Sequence, residues 1–157
     1  LGVKHWHALD FPDNRIDSVP LLSVVQALEP IFQKVQPNRV YTHHYGDLNV
    51  DHRLTHQAVM TVCRPAPRSS VSEILAFEVM SSTEWATPGA SPFVPNAFVD
   101  ISDYLLTKIE ALKAYGMEMR PSPHSRSIAH IEALAQHRGY SVGLEAAEAF
   151  EVLRVVE

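Results

Sequence analysis

The densest run of chemically versatile side chains is Thr42-His43-His44-Tyr45-Gly46-Asp47-Leu48-Asn49-Val50-Asp51-His52-Arg53. Imidazole is a common ligand for borderline-soft divalent ions such as zinc, and a nearby carboxylate can fix its tautomer. The adjacent Asp51-His52 pair has that chemistry. The same residues also have a purely structural use, because Asn49 or Asp51 suits a helix N-cap and Asp51 suits a first helical turn. Local spacing leaves both readings open. His52 and His56 stand four apart and would share a helix face. That is the histidine spacing of a His-Glu-x-x-His metalloprotease helix, but Arg53 occupies the place of the general-base glutamate. A cation there repels a metal and takes no proton from water. The protease reading fails, and His56 is expected to pack or to face solvent.

The elements around this run set its position. Leu1-Gly2-Val3 reads as a helix end running into a strand, and with Leu rather than Met at the first position we expect a chain that starts inside a domain. Val3 to Leu9, with His5 and His7 around Trp6, is strand-like and ends in the turn Asp10-Phe11-Pro12-Asp13-Asn14. Leu21, Leu22, Val24, Val25, Leu28, Ile31, Phe32 and Val35 form one apolar helical face. Ser18 is its expected N-cap, Pro20 suits its first turn, Pro30 should kink or interrupt it, and Pro37-Asn38 stops it. Arg39 to His44 predicts a strand, Asp51 to Cys63 a helix closed by Pro65-Ala66-Pro67, and Val71 to Met80 a third strand. Strand, helix, strand in this rhythm is the pattern of parallel βαβ units.

Beyond Met80 the rhythm changes. Residues 81–97 are rich in proline and small residues and read as a long surface loop of the kind that often carries function. Val99-Asp100-Ile101 predicts a short strand, residues 103–119 an amphipathic helix, and Arg120 to Ser125 a loop with Pro121, Pro123 and His124. A helix over 127–138 is expected to stop at Gly139 as C-cap, and residues 149–156 to close the chain as an edge strand. The whole, 1–157, reads as a single α/β domain with a mostly parallel, Rossmann-like sheet in a three-layer sandwich. In such sheets ligands bind at the carboxyl edge of the strands, where His43 to Arg53 would lie.

Composition narrows the function classes. The 157 residues carry a net charge of -5, 46% hydrophobic and 20% charged side chains, which is ordinary for a globular domain and offers no basic stripe to nucleic acid. No apolar run approaches the roughly 18 residues of a membrane span. Cys63, the single cysteine, excludes an intramolecular disulfide; it falls in an apolar helical stretch as a packing residue, and a reducing cytoplasm is its natural setting. No Gly-x-Gly-x-x-Gly or P-loop follows any strand, which weakens a nucleotide-binding reading.

The run Tyr41 to Arg53 closely resembles the second motif of the LmbE-like (PIG-L type) zinc N-deacetylases. Leu9 to Asn14 is similar to that family's strand-end turn, Ser81-Ser82-Thr83-Glu84-Trp85 to its substrate-side loop, and Arg120 to Ser127 to its late histidine loop. The matches run in order across nearly the whole chain. The resemblance implies an enzyme acting on N-acetylglucosamine-type sugars, with zinc held by two histidines and an aspartate and a further aspartate as general base. Carried over by position, His52 matches a zinc histidine and Asp51 the carboxylate that orients it. His124 matches the histidine that contacts the substrate or the developing oxyanion and could return a proton to the leaving amine. Asn49 falls on the substrate side, where many members carry a histidine. Arg126 would anchor its loop or bind sugar hydroxyls, with a surface ion pair as the alternative, and Glu84 and Trp85 would supply a sugar-stacking edge.

The family's first motif, His-Pro-Asp-Asp-Glu, is not found in this sequence; Pro12-Asp13-Asn14 has no preceding histidine. The resemblance would place that motif, with two strands and a helix, before Leu1. We therefore expect an incomplete zinc site, a chain inactive by itself, and a sheet edge covered by an N-terminal fragment or another copy. The expected partner is a small N-acetylated amino sugar, with neither nucleic acid nor membrane insertion involved. A non-catalytic sugar-binding module without zinc is the competing reading.

Overall fold

The computed structural model describes residues 2–67 and 69–157, so the helix end read at Leu1 lies outside the described residues. Four strands order as β1-β2-β4-β3, and the chain divides into two compact units. The larger comprises His7–Val94 and Glu151–Glu157. In it, α1 (Leu21–Val35) precedes β1 (Arg39–His43), α2 (Val50–Val62) and β2 (Glu73–Phe77).

β1 and β2 are parallel, in register from Arg39 opposite Glu73 to His43 opposite Phe77. β2 is buried at Ile74, Leu75 and Ala76, so both of its faces are covered, as in a parallel-sheet strand. Ile74 joins Val59, Cys63 and Val71 in one apolar cluster, with Leu28, Phe32 and Leu153 packed around it. Val24, Val25 and Ala58 form a second. Cys63 is buried as expected, and burial raises its thiol pKa.

The smaller unit holds Pro95–Phe150 with the start of the chain. β3 (Ala97–Asp100) runs antiparallel to the first part of β4 (Ala147–Val155), Ala97 opposite Phe150 and Asp100 opposite Ala147. α3 (Leu105–Lys113) and α4 (Ile128–Tyr140) complete it.

Several expectations need correction. Val3 to Leu9 forms no strand; Val3 and Trp6 are largely exposed, and alternation without a pairing partner makes no ladder. β4 lies between β2 and β3 and is not an edge strand. Ser18 donates its hydroxyl to the Arg15 carbonyl, and Pro20, not Ser18, is the N-cap of α1. Pro30 sits inside an α1 that continues past it to Val35. The helix expected over 103–119 ends at Lys113 and begins as a 3-10 turn at Ser102–Tyr104. Gly139 lies within α4 and its role is close approach: a Cβ there would stand 2.7 Å from the backbone of Ala146 and from the Leu144 carbonyl oxygen. Among the described residues no helix is long and apolar enough to cross a membrane.

Candidate functional site

The parallel register of β1 and β2 brings their carboxyl ends side by side, and the loops that follow meet. The His44 amide donates to the Phe77 carbonyl at 3.1 Å and the Leu48 amide to the Ser82 carbonyl at 3.3 Å. Between these loops lies Asp47, 1% exposed. Its Oδ1 accepts the Asn49 amide at 2.8 Å and the Ser82 hydroxyl, and its Oδ2 accepts the Thr83 hydroxyl at 2.7 Å. The Nδ1 of His52 stands 3.0 Å from the same Oδ1. Burial raises the Asp47 pKa, but hydrogen bonds from His52, Ser82, Thr83 and the Asn49 amide outweigh it and hold the carboxyl well below the ordinary range. Asp47 is a buried anion.

His52 lies in the first turn of α2, whose N-cap is Asn49: its side-chain oxygen accepts the Asp51 amide at 2.8 Å. The Asn49 side-chain nitrogen donates to Asn14 at 3.1 Å, so its amide is engaged at both ends in holding the loop. The Asp51 carboxylate turns away from His52; its Oδ1 takes the Ile16 amide at 2.9 Å. The orienting carboxylate expected at Asp51 is supplied by Asp47, five residues before His52. Arg53, where a protease base would be, donates to the carbonyls of Asp47 and Leu48 at 2.6 and 2.5 Å, fixing the loop that carries Asp47. His56 is buried and its Nδ1 meets the His43 carbonyl at 2.8 Å, a packing role.

The His52 ring stacks on His43, centroids 4.2 Å apart and planes inclined by 18°. Burial first, and then the neighbouring His52, lowers the His43 pKa to about 4, so His43 is neutral at neutral pH. Two cations are thereby avoided in one stack. Among the described residues the Nε2 of His52 has no hydrogen-bond partner, and the side chain keeps 20% of its surface exposed. With Nδ1 facing a carboxylate and Nε2 open, the ring has the arrangement in which a neighbouring anion orients a metal-binding imidazole. His52 fits a divalent ion in kind but not in number. Among the described residues no group of three or more His, Cys, Asp or Glu side chains could hold a metal ion, and a zinc site needs at least three protein ligands.

The loop after β2 is pinned at both ends. Glu84, expected on the sugar side, caps the turn: its carboxylate accepts the Ser81 amide at 2.6 Å and the Ser82 amide at 3.2 Å. Trp85 beside it is 52% exposed, so much of its indole surface faces solvent. At the far end His44, fully buried, meets Glu151 Oε2 through Nδ1 at 2.6 Å and the Ser91 carbonyl through Nε2 at 2.9 Å. Glu151 also accepts the Val94 amide at 2.6 Å. Gly46 is required there, since a Cβ would stand 2.7 Å from His44 Nε2.

The late histidine loop belongs to the smaller unit. His124 Nδ1 accepts the Arg126 amide at 3.0 Å, so the neutral ring carries its proton on Nε2. Arg126 pairs with Glu118 at 2.6 Å, the surface ion pair held open as its alternative. Reading the sequence alone missed Asp47, Ser82, Thr83 and the His44–Glu151 clamp. An aspartate in the turn just before a helical histidine was the available signal for the first.

Residues 1–63 match the model of the family described as PIG-L: GlcNAc-PI de-N-acetylase. The uncharacterized deacetylase YaiS of Escherichia coli (strain K12) is 32% identical over 121 residues, 73% of this chain and 58% of that protein. The N,N'-diacetylchitobiose deacetylase from Pyrococcus horikoshii shares the fold at TM-score 0.70 and 20% identity, over 98% of this chain and 58% of its own. The conserved protein TT1542 from Thermus thermophilus does so at TM-score 0.68 and 22% identity, over 94% and 64%. GalB, the 4-carboxy-2-hydroxymuconate hydratase from Pseudomonas putida KT2440, does so at 0.63 and 20%, over 87% and 61%. This chain thus spans 58% of the curated relative and of the first of these structures. Residues 1–63 thus carry the PIG-L (LmbE-like) family match, and the deacetylase relative and the common fold agree with it over most of the chain.

Proposed function

We propose that this chain is part of a zinc-dependent N-deacetylase that removes the acetyl group from an N-acetylglucosamine-type sugar or glycoconjugate, with His52 as one metal ligand. The observation that carries the reading is the His52 ring at the carboxyl edge of β1 and β2, its Nδ1 on buried Asp47 and its Nε2 open. The fold by itself does not select the chemistry, since a hydratase shares it. The sequence run Tyr41 to Arg53 and the deacetylase relative favour amide hydrolysis.

In this reading the remaining zinc ligands and the general base come from sequence outside these 157 residues, and the isolated chain is inactive. Bound zinc supplies a Lewis acid and an acidified water. The chain's own residues orient and bind: Asp47 holds His52, and Trp85 offers an apolar face to the sugar ring. By the resemblance of its loop, His124 is assigned the role of donor to a developing oxyanion. Asp51 and Asn49 shape the turn that presents His52. A cytoplasmic setting belongs to the same proposal, on the strength of the single buried Cys63.

Acetate release from N-acetylglucosamine conjugates tests it. The full natural polypeptide should lose turnover on chelation and regain it with zinc, and residues 1–157 alone should show none. A full polypeptide that binds the sugar but releases no acetate with zinc restored would favour the sugar-binding module instead.

A further inference from the structure

Asp47 is gripped from two sides. On the loop side, Ser82 and Thr83 both donate hydroxyl hydrogens to it, and the Thr83 oxygen in turn accepts the Val79 amide at 2.7 Å. On the helix side, the Nδ1 of His52 faces two oxygens, Asp47 Oδ1 at 3.0 Å and Ser82 Oγ at 3.5 Å. The Ser82 proton is committed to Asp47, so the hydroxyl presents lone pairs to the ring. Asp47, Ser82 and Thr83 are 1%, 6% and 8% exposed, which leaves little room for water to replace any of these donors. Every oxygen that Nδ1 meets is therefore an acceptor, and the favoured place for the proton of the neutral ring is Nδ1.

We propose that Ser82 and Thr83 are positioning residues which, through Asp47, hold His52 as the Nδ1–H tautomer and leave Nε2 as its donor atom. The consequence for metal binding rests on the deacetylase reading; the tautomer itself does not. The arrangement also gives the loop after β2 a hold on the imidazole, because the hydroxyls on Asp47 belong to the segment that carries Trp85.

The tautomer is read directly by nitrogen–proton correlation of the imidazole rings in labelled, metal-free protein, with His52 assigned by its loss in His52→Gln. Wild type should carry the proton on Nδ1. Thr83→Val keeps the shape and removes the hydroxyl, and Ser82→Ala removes the second acceptor. Each frees the carboxylate to move off Nδ1 and should raise the share of the Nε2–H form severalfold, with about tenfold as the ceiling set by complete loss of the Nδ1–carboxylate hydrogen bond. Thr83→Ser, which keeps the hydroxyl, should match wild type and separates the hydroxyl's role from packing. A wild-type proton on Nε2, or a Thr83→Val ring identical to wild type, overturns the proposal. Failure of the deacetylase reading shows separately, as a full polypeptide without acetate release whose His52 tautomer still responds to these substitutions.

Discussion

His43 ends β1 with its ring against His52 and Phe77, and it should make stability fall as the pH drops. Its pKa in the folded chain is about 4, whereas an unfolded histidine titrates near about 6.5. Below that higher value the unfolded chain takes up a proton that the folded chain refuses. The stabilisation is therefore complete above about pH 6.5, is lost progressively down to about pH 4, and changes no further below. A lowering of that size corresponds to roughly 3 kcal/mol if fully expressed, and solvent screening around a part-buried ring brings it to about 1–2 kcal/mol. The assay is guanidinium unfolding of metal-free protein, followed by circular dichroism at about pH 7 and about pH 4.5. His43→Phe is the control: it keeps a flat ring in the stack and removes the proton site, including an Nδ1 that is buried without a hydrogen bond. Wild type should lose about 1–2 kcal/mol more than the variant across this interval. Equal losses would refute the assignment of a buried neutral ring. Asp47 does not confuse the comparison, because its stabilisation is lost only as pH falls below the ordinary carboxylate range.

Other perturbations follow from the same contacts. Asp47→Ala strands the Ser82 and Thr83 hydroxyls, the Asn49 amide and His52, and should cost about 3–5 kcal/mol in denaturant unfolding; a loss under about 1 kcal/mol would show that water substitutes freely. Glu151→Ala releases the Val94 amide and one side of buried His44, so hydrogen exchange should accelerate at Val94, while protection at Leu75 in the centre of β2 is kept at low denaturant. Gly139→Ala forces a methyl against the backbone at Ala146 and should destabilise by about 2 kcal/mol in a thermal melt; an unchanged midpoint would mean that the segment after α4 moves aside.

Much of the fold could be read from the sequence where apolar periodicity and breakers agreed. α1, β1, α2 and β2 fall within a few residues of their expected bounds, because Pro37, Pro65 and the polar loop at Tyr45 to Asn49 mark their ends. The failures have local causes. Val3 to Leu9 alternates like a strand, but pairing depends on a neighbour that periodicity cannot see. Gly139 looked like a helix stop because its real cause, the chain at Ala146, is a tertiary contact. β4 looked like an edge because position in a sheet is not a property of one segment. At the site, His52 was legible from type and spacing. Its orienting carboxylate was not: Asp51 is adjacent in sequence, but its side chain reaches back to Ile16, while Asp47 turns inward beneath the helix start. Asn49 and Glu84 hold turns, a use that a polar side chain in a loop shares with substrate binding and that residue type alone does not separate from it.

The most direct test of the account is to locate the metal. Crystals of the full natural polypeptide, grown with zinc and measured on both sides of the zinc absorption edge, should show one anomalous peak about 2.0–2.1 Å from the Nε2 of His52. A peak on Nδ1, or zinc bound only at sites remote from His52, would contradict the proposal that the Asp47-held imidazole serves a metal.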